Sequence, residues 1–540
     1  MPPLANARGA PPLAAPLGLW DLLGAGMAAV SLALHLRFVL LDRRAPADPG
    51  LYLKRVGEAL SALAARDLEA LGALLAEVSG WYNVLVALSH TLSDGAPWGA
   101  RLPTVGWFAL ILLTTGLIAR RAGGPGLAAA AVGLCAGMPI VTLQARTLWI
   151  HVPEAALVLA GLALTQGDPR LRAPLRLGAV AACLGLTLSL RPSGLAWAPL
   201  IALPWWAGPR PRPAALLGLA LVAAVAAAPT LQGLGTYLTA KANARAGYVE
   251  RMPFPELSGL LQLFGPALAI SAASLMPAHS PLLHRFALAV LAQSALLWAT
   301  FRAGFDNFTL LGPALALACA SGLSRLGAAG PTLAALIWAA AVLPTHLKPP
   351  RGEDRGLTLG YATEIKDLHR PWQGYGAAEV EAIISATCGE APCRIAVNQG
   401  IFEPGGEEPG RLGLTLLGLT ELGLSDLRHG GGRRGAAPQL AVDWGCAVGT
   451  RGWEARFPKA AAAFDELVRT EGMLPLWSSY LRPDCAVRWW VHPSVEVQRG
   501  RMPTTGAVKL PDGHLAQPVA PRRPPPRRGP IRGQKDEGRP

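Results

Sequence analysis

Residues 17–41, LGLWDLLGAGMAAVSLALHLRFVLL, contain only three ionisable side chains, Asp21, His35 and Arg37, and form an apolar run long enough to cross a bilayer as a helix. The next stretch is of a different kind. From Asp48 to Thr91 the chain reads DPGLYLKRVGEALSALAARDLEALGALLAEVSGWYNVLVALSHT. Leu53, Val56, Leu60 and Leu63 recur at helical spacing, and so do Leu68, Leu71, Leu75 and Val78. Each set makes an apolar face of about three turns, too short to span a membrane. Such helices lie along a membrane surface with their polar faces in water. Trp81, Tyr82 and Trp98 suit the interface.

The rest of the first 346 residues repeats the opening pattern. Stretches 103–119, 174–190, 213–231 and 328–345 are nearly free of charge, and charges gather in short segments between them. A backbone in hydrocarbon must satisfy its own hydrogen bonds, so these stretches are expected to be spanning helices. The expected fold class is an α-helical polytopic membrane protein with about eleven spans. Stretch 17–41 is too long for the apolar core of a signal peptide, and no small-x-small cleavage site comes after it. The net charge of +14 does not indicate a nucleic-acid partner, because half of it lies in the Pro-rich tail 499–540. Much of the rest lies in short loops.

Those loops set an orientation. Arg120 and Arg121, then Arg170, Arg172 and Arg176, then Arg210 and Arg212, then His284 with Arg285, and Arg325 mark every second connection. Short basic loops stay on the cytoplasmic side. The N-terminal segment 1–16 is then cytoplasmic, and segments 42–102, 144–152, 233–256 and 302–306 are external. Everything after about residue 346 is external as well, in a multi-pass cell (inner) membrane protein.

After Leu347 the composition shifts to Gly, charge and polar residues. Segments 394–398, 439–443 and 486–491 read as short strands, while 376–387, 457–470 and 412–427 read as helices. The alternation gives a small exported α/β domain over 347–498. Asn398-Gln399 and Asp443-Trp444 sit where strands end, and ligands of such sheets bind at the carboxyl ends of strands. Cys135, Cys183 and Cys319 fall in apolar spans, whereas Cys388, Cys393, Cys446 and Cys485 fall in this domain. An even number of cysteines in an exported domain fits disulfides, with Cys388–Cys393 and Cys446–Cys485 the preferred pairing of three.

An acid at Asp48 where a spanning helix emerges, followed by surface helices, resembles the GT-C superfamily of glycosyltransferases that use polyprenyl-phosphate sugars, including the protein O-mannosyltransferase and aminoarabinose transferase branch. Tyr82-Asn-Val-Leu, Ala100-Arg101-Leu-Pro103, Arg120-Arg121-x-Gly-Gly and Pro139 are similar to that family's pattern in order and position. So are Arg146 to His151-Val-Pro153-Glu154 and Leu190-Arg191-Pro-Ser-Gly194. The similarity covers about residues 15–345. Two departures stand out: Pro49 succeeds Asp48 where many relatives carry a second acid, and His151 with Glu154 replaces the family's second acidic site.

The resemblance implies an inverting transfer of sugar from a polyprenyl-phosphate-linked donor to an envelope glycan, lipid or protein acceptor on the outer face. Membrane lipids are the other partners. Asp48 is the candidate base, since a partly apolar setting brings a carboxylate toward neutrality; an N-cap role for the helix at Leu51 is compatible with it. His151 and Glu154 are candidates to hold the acceptor or a divalent metal ion, Glu154 with a helix cap as its alternative. Arg146 and Arg191 could grip the donor phosphate or simply snorkel. Lys241, Arg245 and Arg251 belong to the external segment 233–256 and could touch lipid phosphate. Asp306 and Asn307 start a span as caps. A transporter or flippase of lipid-linked intermediates, and a non-catalytic relative acting as an assembly partner, are the competing readings.

Overall fold

The computed structural model describes residues 18–41, 51–94, 98–146, 150–166, 173–191, 193–207, 212–248, 280–301 and 308–347, then 377–389, 394–398, 426–428, 438–446, 465–482, 485–498, 502, 508–509 and 515–516. They fall into two compact units, one holding the helices up to Leu347 and the other the later helix and the strands.

The first unit begins with α1 (Leu19–Leu41), the short helices α2 (Leu51–Ala65), α3 (Leu68–Leu75) and α4 (Gly80–Thr91), and α5 (Leu102–Gly123). Helices α6 (Pro125–Gly137), α7 (Pro139–Gln144), α8 (His151–Thr165) and α9 (Ala173–Leu190) are next. Then come α10 (Gly194–Trp197), α11 (Leu203–Ala207), α12 (Pro213–Tyr248), α13 (Pro281–Phe301), α14 (Leu311–Leu323) and α15 (Ala329–Leu347). Among the described residues, Leu19–Leu40 and Gly99–Gly123 are each long and apolar enough to cross a membrane alone. The other apolar helices are shorter, and proline explains several of the breaks. Met138 is extended because it precedes Pro139, which separates α6 from α7. The stretch 193–207 divides into α10, a 3-10 turn Ala198–Ala202 and α11, at Pro199 and Pro204.

Helix α6 is the centre of this unit, packed by α1, α5, α14 and α15. Its residues from Ala129 to Ala136 are all buried. Small side chains make that possible. A Cβ on Gly133 would lie 2.9 Å from the Met27 sulfur of α1 and 3.4 Å from the Ala334 carbonyl of α15. Close backbone approach between apolar helices rests on such residues. At the Arg120 end of α5, that residue's Nη1 lies 3.0 Å from Asp21 Oδ1. The start of α1 and the end of α5 are therefore on one side, and Asp21 is paired there.

Three expectations need correction. The segment 233–256 is not a loop throughout: α12 continues to Tyr248, so Lys241 and Arg245 stand on a helix, while Arg251 lies outside the described residues. The Ala-rich run around Lys241 has high helix propensity and carries the helix on. In α3 the buried residue is Leu74, with Leu68 and Leu75 exposed, because the chain turns after Leu75 and Val78 never joins that face. In the second unit, part of the expected helix 412–427 is strand, since Asp426–Arg428 pairs with Arg394–Ala396.

The second unit contains α16 (Ala377–Cys388) and a sheet of β1 (Arg394–Asn398), β2 (Asp426–Arg428), β3 (Leu440–Cys446), β4 (Leu474–Arg482) and β5 (Cys485–Val491), in the order β2-β1-β3-β5-β4. β1 is parallel to β2 and β3, whereas β5 is antiparallel to β3 and β4. β4 carries Pro475, which a sheet edge tolerates. A helical segment over 465–470 places Leu467 and Val468 against Ala441 and Trp490. Two more short strands, β6 (Val508–Lys509) and β7 (Leu515–Ala516), pair with each other.

Candidate functional site

The tightest polar constellation of the first unit forms where α9 ends and α10 begins. Chain direction reverses here between Arg191 and Ser193. Gly194 lets α10 fold back on the last turn of α9, since a Cβ there would lie 2.2 Å from the Thr187 carbonyl oxygen. The reversal brings Arg191 and Ser193 onto the first turn of α8. Arg191 donates from Nη1 to His151 Nδ1, with Nε2 3.1 Å away. Ser193 Oγ donates to Glu154 Oε1 at 2.6 Å. The Arg191 charge also acts on Glu154. His151 is 8% exposed and Glu154 3%, while Arg191 and Ser193 beside them are half-buried. Buried charges persist when paired in this way.

Helices α2, α3 and α4 cover this corner. Val56, Ala59, Leu74, Tyr82 and Val86 form one apolar cluster with Ile150 and Leu157 of the α8 side and Leu190 of α9. The turn between α3 and α4 supplies partners for the last carbonyls of α9, which have none within their own helix. Ser79 N donates to Ser189 O at 2.9 Å, Ser79 Oγ donates to Leu190 O, and Trp81 Nε1 donates to Ser189 Oγ at 3.1 Å. The α3–α4 turn is thus fixed to the residues before Arg191.

Asp48, Asp306, Asn307 and Cys393 lie outside the described residues. Arg146 is 2% exposed and stacks its guanidinium over Phe38 near the end of α1, 4.3 Å from the ring centroid. His35 is buried too, with Nε2 3.4 Å from Thr104 Oγ1 and its ring 5.1 Å from Phe108. Arg37 is exposed. Cys135, Cys183 and Cys319 are outside any disulfide, and Cys388 is disulfide-bonded. The β3–β5 register sets Cys446 directly opposite Cys485.

Sequence reasoning passed over Ser79, Asn83, Arg101 and the role of Ser193. Ser193 was marked by its place in the Arg-Pro-Ser-Gly turn, two residues from Arg191. Asn83 and Arg101 are 1% and 2% exposed. Neither amide atom of Asn83 meets a hydrogen-bond partner, so this side chain offers a buried donor and acceptor that no described protein group takes. Among the described residues no three His, Cys, Asp or Glu side chains converge, and Arg191 lies on the imidazole that would ligate a metal ion.

An apolar cleft of about 780 Å³ runs along α9, α11 and α12, lined by Leu188, Leu195, Val180, Trp205 and Leu219; none of the four corner residues lines it.

No protein-family model matches the chain, and no curated protein does. Two solved structures share its fold. ArnT from Cupriavidus metallidurans in the apo state superposes with a TM-score of 0.50 at 15% identity, over 87% of this chain and 97% of that one. The same protein bound to undecaprenyl phosphate gives 0.51 at 14% identity, over 87% and 98%. At this identity the likeness is one of fold: the chain has an ArnT-like fold.

Proposed function

We infer that this GT-C-like chain is a membrane glycosyltransferase that moves a sugar from a polyprenyl-phosphate-linked donor to an envelope glycan, lipid or protein on the non-cytoplasmic face. The observation that carries the reading is the corner of Arg191, His151, Glu154 and Ser193 beneath the α2–α4 cover. A lipid phosphate needs a cation, and the half-buried Arg191 offers one. ArnT, which shares the fold, has been solved with undecaprenyl phosphate bound.

In this reading Asp48 removes the proton of the acceptor hydroxyl. The acceptor oxygen forms a bond to the anomeric carbon as the bond from that carbon to the phosphate oxygen breaks. The polyprenyl phosphate leaves with the electron pair, and Arg191 offsets its charge with a guanidinium suited to phosphate oxygens. Glu154 and Ser193 hold Arg191 and the α8 turn in place, and Asn83 is available to a sugar hydroxyl. Arg146, Lys241 and Arg245 are further candidates for lipid phosphate. No step is routed through a metal ion. About eleven spans, a cytoplasmic N-terminus and an external second unit complete the proposal.

The test is the full chain reconstituted in liposomes with a polyprenyl-phosphate sugar, beside a strain scored for its envelope glycans. Asp48→Asn should abolish transfer with donor binding retained, and Arg191→Gln should raise the donor KM at least tenfold. An Asp48→Asn protein that accumulates normally and leaves the glycans unchanged would remove Asp48 from the chemistry.

A further inference from the structure

The surface helices differ in what they turn outward. In α2 the exposed residues after Val56 include Glu58 and Ser61, a polar edge. In α4 they are Leu85, Leu88, Thr91 and Leu92, with the leucines 36%, 40% and 84% exposed. Half-buried Trp81 stands in line with them, so Trp81, Leu85, Leu88 and Leu92 make one apolar stripe at helical spacing. No Asp, Glu, Lys or Arg occurs from Gly80 to Leu92. Trp81 and Tyr82 both suit an interface by type, but Tyr82 is 1% exposed inside the apolar cluster under α4, so of the two only Trp81 joins the stripe.

Polar atoms on and beside the stripe are satisfied by the protein itself. Trp81 Nε1 donates to Ser189 Oγ, and Thr91 Oγ1 donates to Ala87 O at 2.9 Å. Ser89 Oγ donates to Gly99 O at 2.7 Å and Ser93 Oγ to Ser89 O at 2.6 Å. Hydrocarbon offers no hydrogen-bond partners and requires this; water does not.

The depth of α4 agrees. The candidate span Gly99–Gly123 exposes Leu102, Gly106 and Leu113 along one side of α5. Trp81, at the start of α4, meets Trp107 of α5 edge-on, with ring centroids 5.9 Å apart. Trp107 is five residues beyond Leu102, about 8 Å along the helix axis. The other end of α4 is held at the head of α5 through Ser89 and Gly99. Helix α4 therefore slopes, with its first turn lower than the Leu102 end of the span. Interfacial helices sit about 5–10 Å into the boundary between headgroups and acyl chains, with Trp and Leu on the inward face.

We propose that the Trp81–Leu85–Leu88–Leu92 face of α4 is embedded among the phospholipid acyl chains of the outer leaflet, just under the headgroups, while the Glu58–Ser61 edge of α2 stays in water. This rests on the membrane-spanning reading of α5. Acyl chains fit the stripe because it carries no charge, its hydroxyl and indole are internally bonded, and it adjoins a span. Since Ser79 and Trp81 bond to Ser189 and Leu190, the depth of α4 in the leaflet also sets the depth of Arg191.

The test places an environment-sensitive fluorescent amino acid, by stop-codon suppression, at Leu85, Leu88, Ser61 or Leu113 of the full chain in vesicles of phosphatidylethanolamine and phosphatidylglycerol. The quenchers are iodide in the water and lipids spin-labelled either near the head or deep in the chain. Labels at Leu85 and Leu88 should be quenched at least twofold by the shallow spin label and shielded from iodide; a label at Ser61 should show the reverse. Iodide quenching at Leu85 or Leu88, with Leu113 still quenched by the deep spin label, overturns the proposal and leaves the spanning reading intact. Shielding from both quenchers overturns it in favour of a protein cover. Loss of deep quenching at Leu113 removes the span, and the proposal with it. All four positions are exposed, so the label displaces no packed side chain.

Discussion

Ser79, held at a φ of +63°, donates its hydroxyl to the carbonyl of Leu190, the residue before Arg191. The α3–α4 turn thereby fixes the end of the helix that delivers the candidate phosphate-binding arginine. The left-handed backbone is disfavoured for any side chain but Gly, so the docking contacts must offset its cost.

Replacing Ser79 should separate those two effects. Ser79→Ala loses the hydrogen bond and leaves a buried carbonyl unpaired, a cost of about 1–3 kcal/mol. Ser79→Gly loses the same bond but relaxes the backbone, so it should be milder by roughly 1 kcal/mol. Thermal unfolding in detergent reads the order of the two variants, and an inverted order would show that the positive φ is not strained.

At the other side of the corner, Gly194→Ala puts a methyl group 2.2 Å from the Thr187 carbonyl oxygen. The α9–α10 turn must open, drawing Arg191 away from His151. The donor KM should rise at least tenfold, with a lower Tm. A variant with wild-type KM would place donor binding away from this corner.

Glu154→Ala should destabilise the protein by about 1–3 kcal/mol, because it leaves the Ser193 hydroxyl without its acceptor and removes a carboxylate near the Arg191 charge. Glu154→Gln retains an acceptor for Ser193 and should lose less. Equal Tm values for both variants would mean that the charge, rather than the hydrogen bond, carries the effect.

The register of β3 and β5 sets Cys446 opposite Cys485, which predicts a cross-strand disulfide. Peptide mapping by mass spectrometry under non-reducing conditions should recover the two cysteines linked. A periplasmic reporter fused after residue 350 should be active. An inactive reporter would reverse the proposed orientation of the second unit.

Much of the helical pattern was legible because it depends on local chemistry. The surface helices at 51–65 and 68–75 arise from 3.6-residue spacing, and the strands at Arg394, Leu440 and Cys485 arise from short β-branched and aromatic runs between turn residues. Local signals failed where packing or propensity took over. Leu74 rather than Leu68 is buried because α3 ends early, and β4 escaped notice because Pro475 argues against a strand unless it lies at a sheet edge.

The class of the molecule was already present in the linear chain: charge-poor helical stretches, short basic turns, and a change of composition after Leu347. The chain also nominated His151, Glu154 and Arg191, though as separate residues with separate roles. Tertiary contact joined them, because 37 residues of chain separate Glu154 from Arg191 and no periodicity reports a contact of that range. The same holds for Asn398, Asp443 and Arg488, which strand order and register bring into one row. Spacing along the chain reflects which face of an element is buried; which elements meet is settled by close packing, as at Gly133 and Gly194, where a missing side chain decides how near two segments can come.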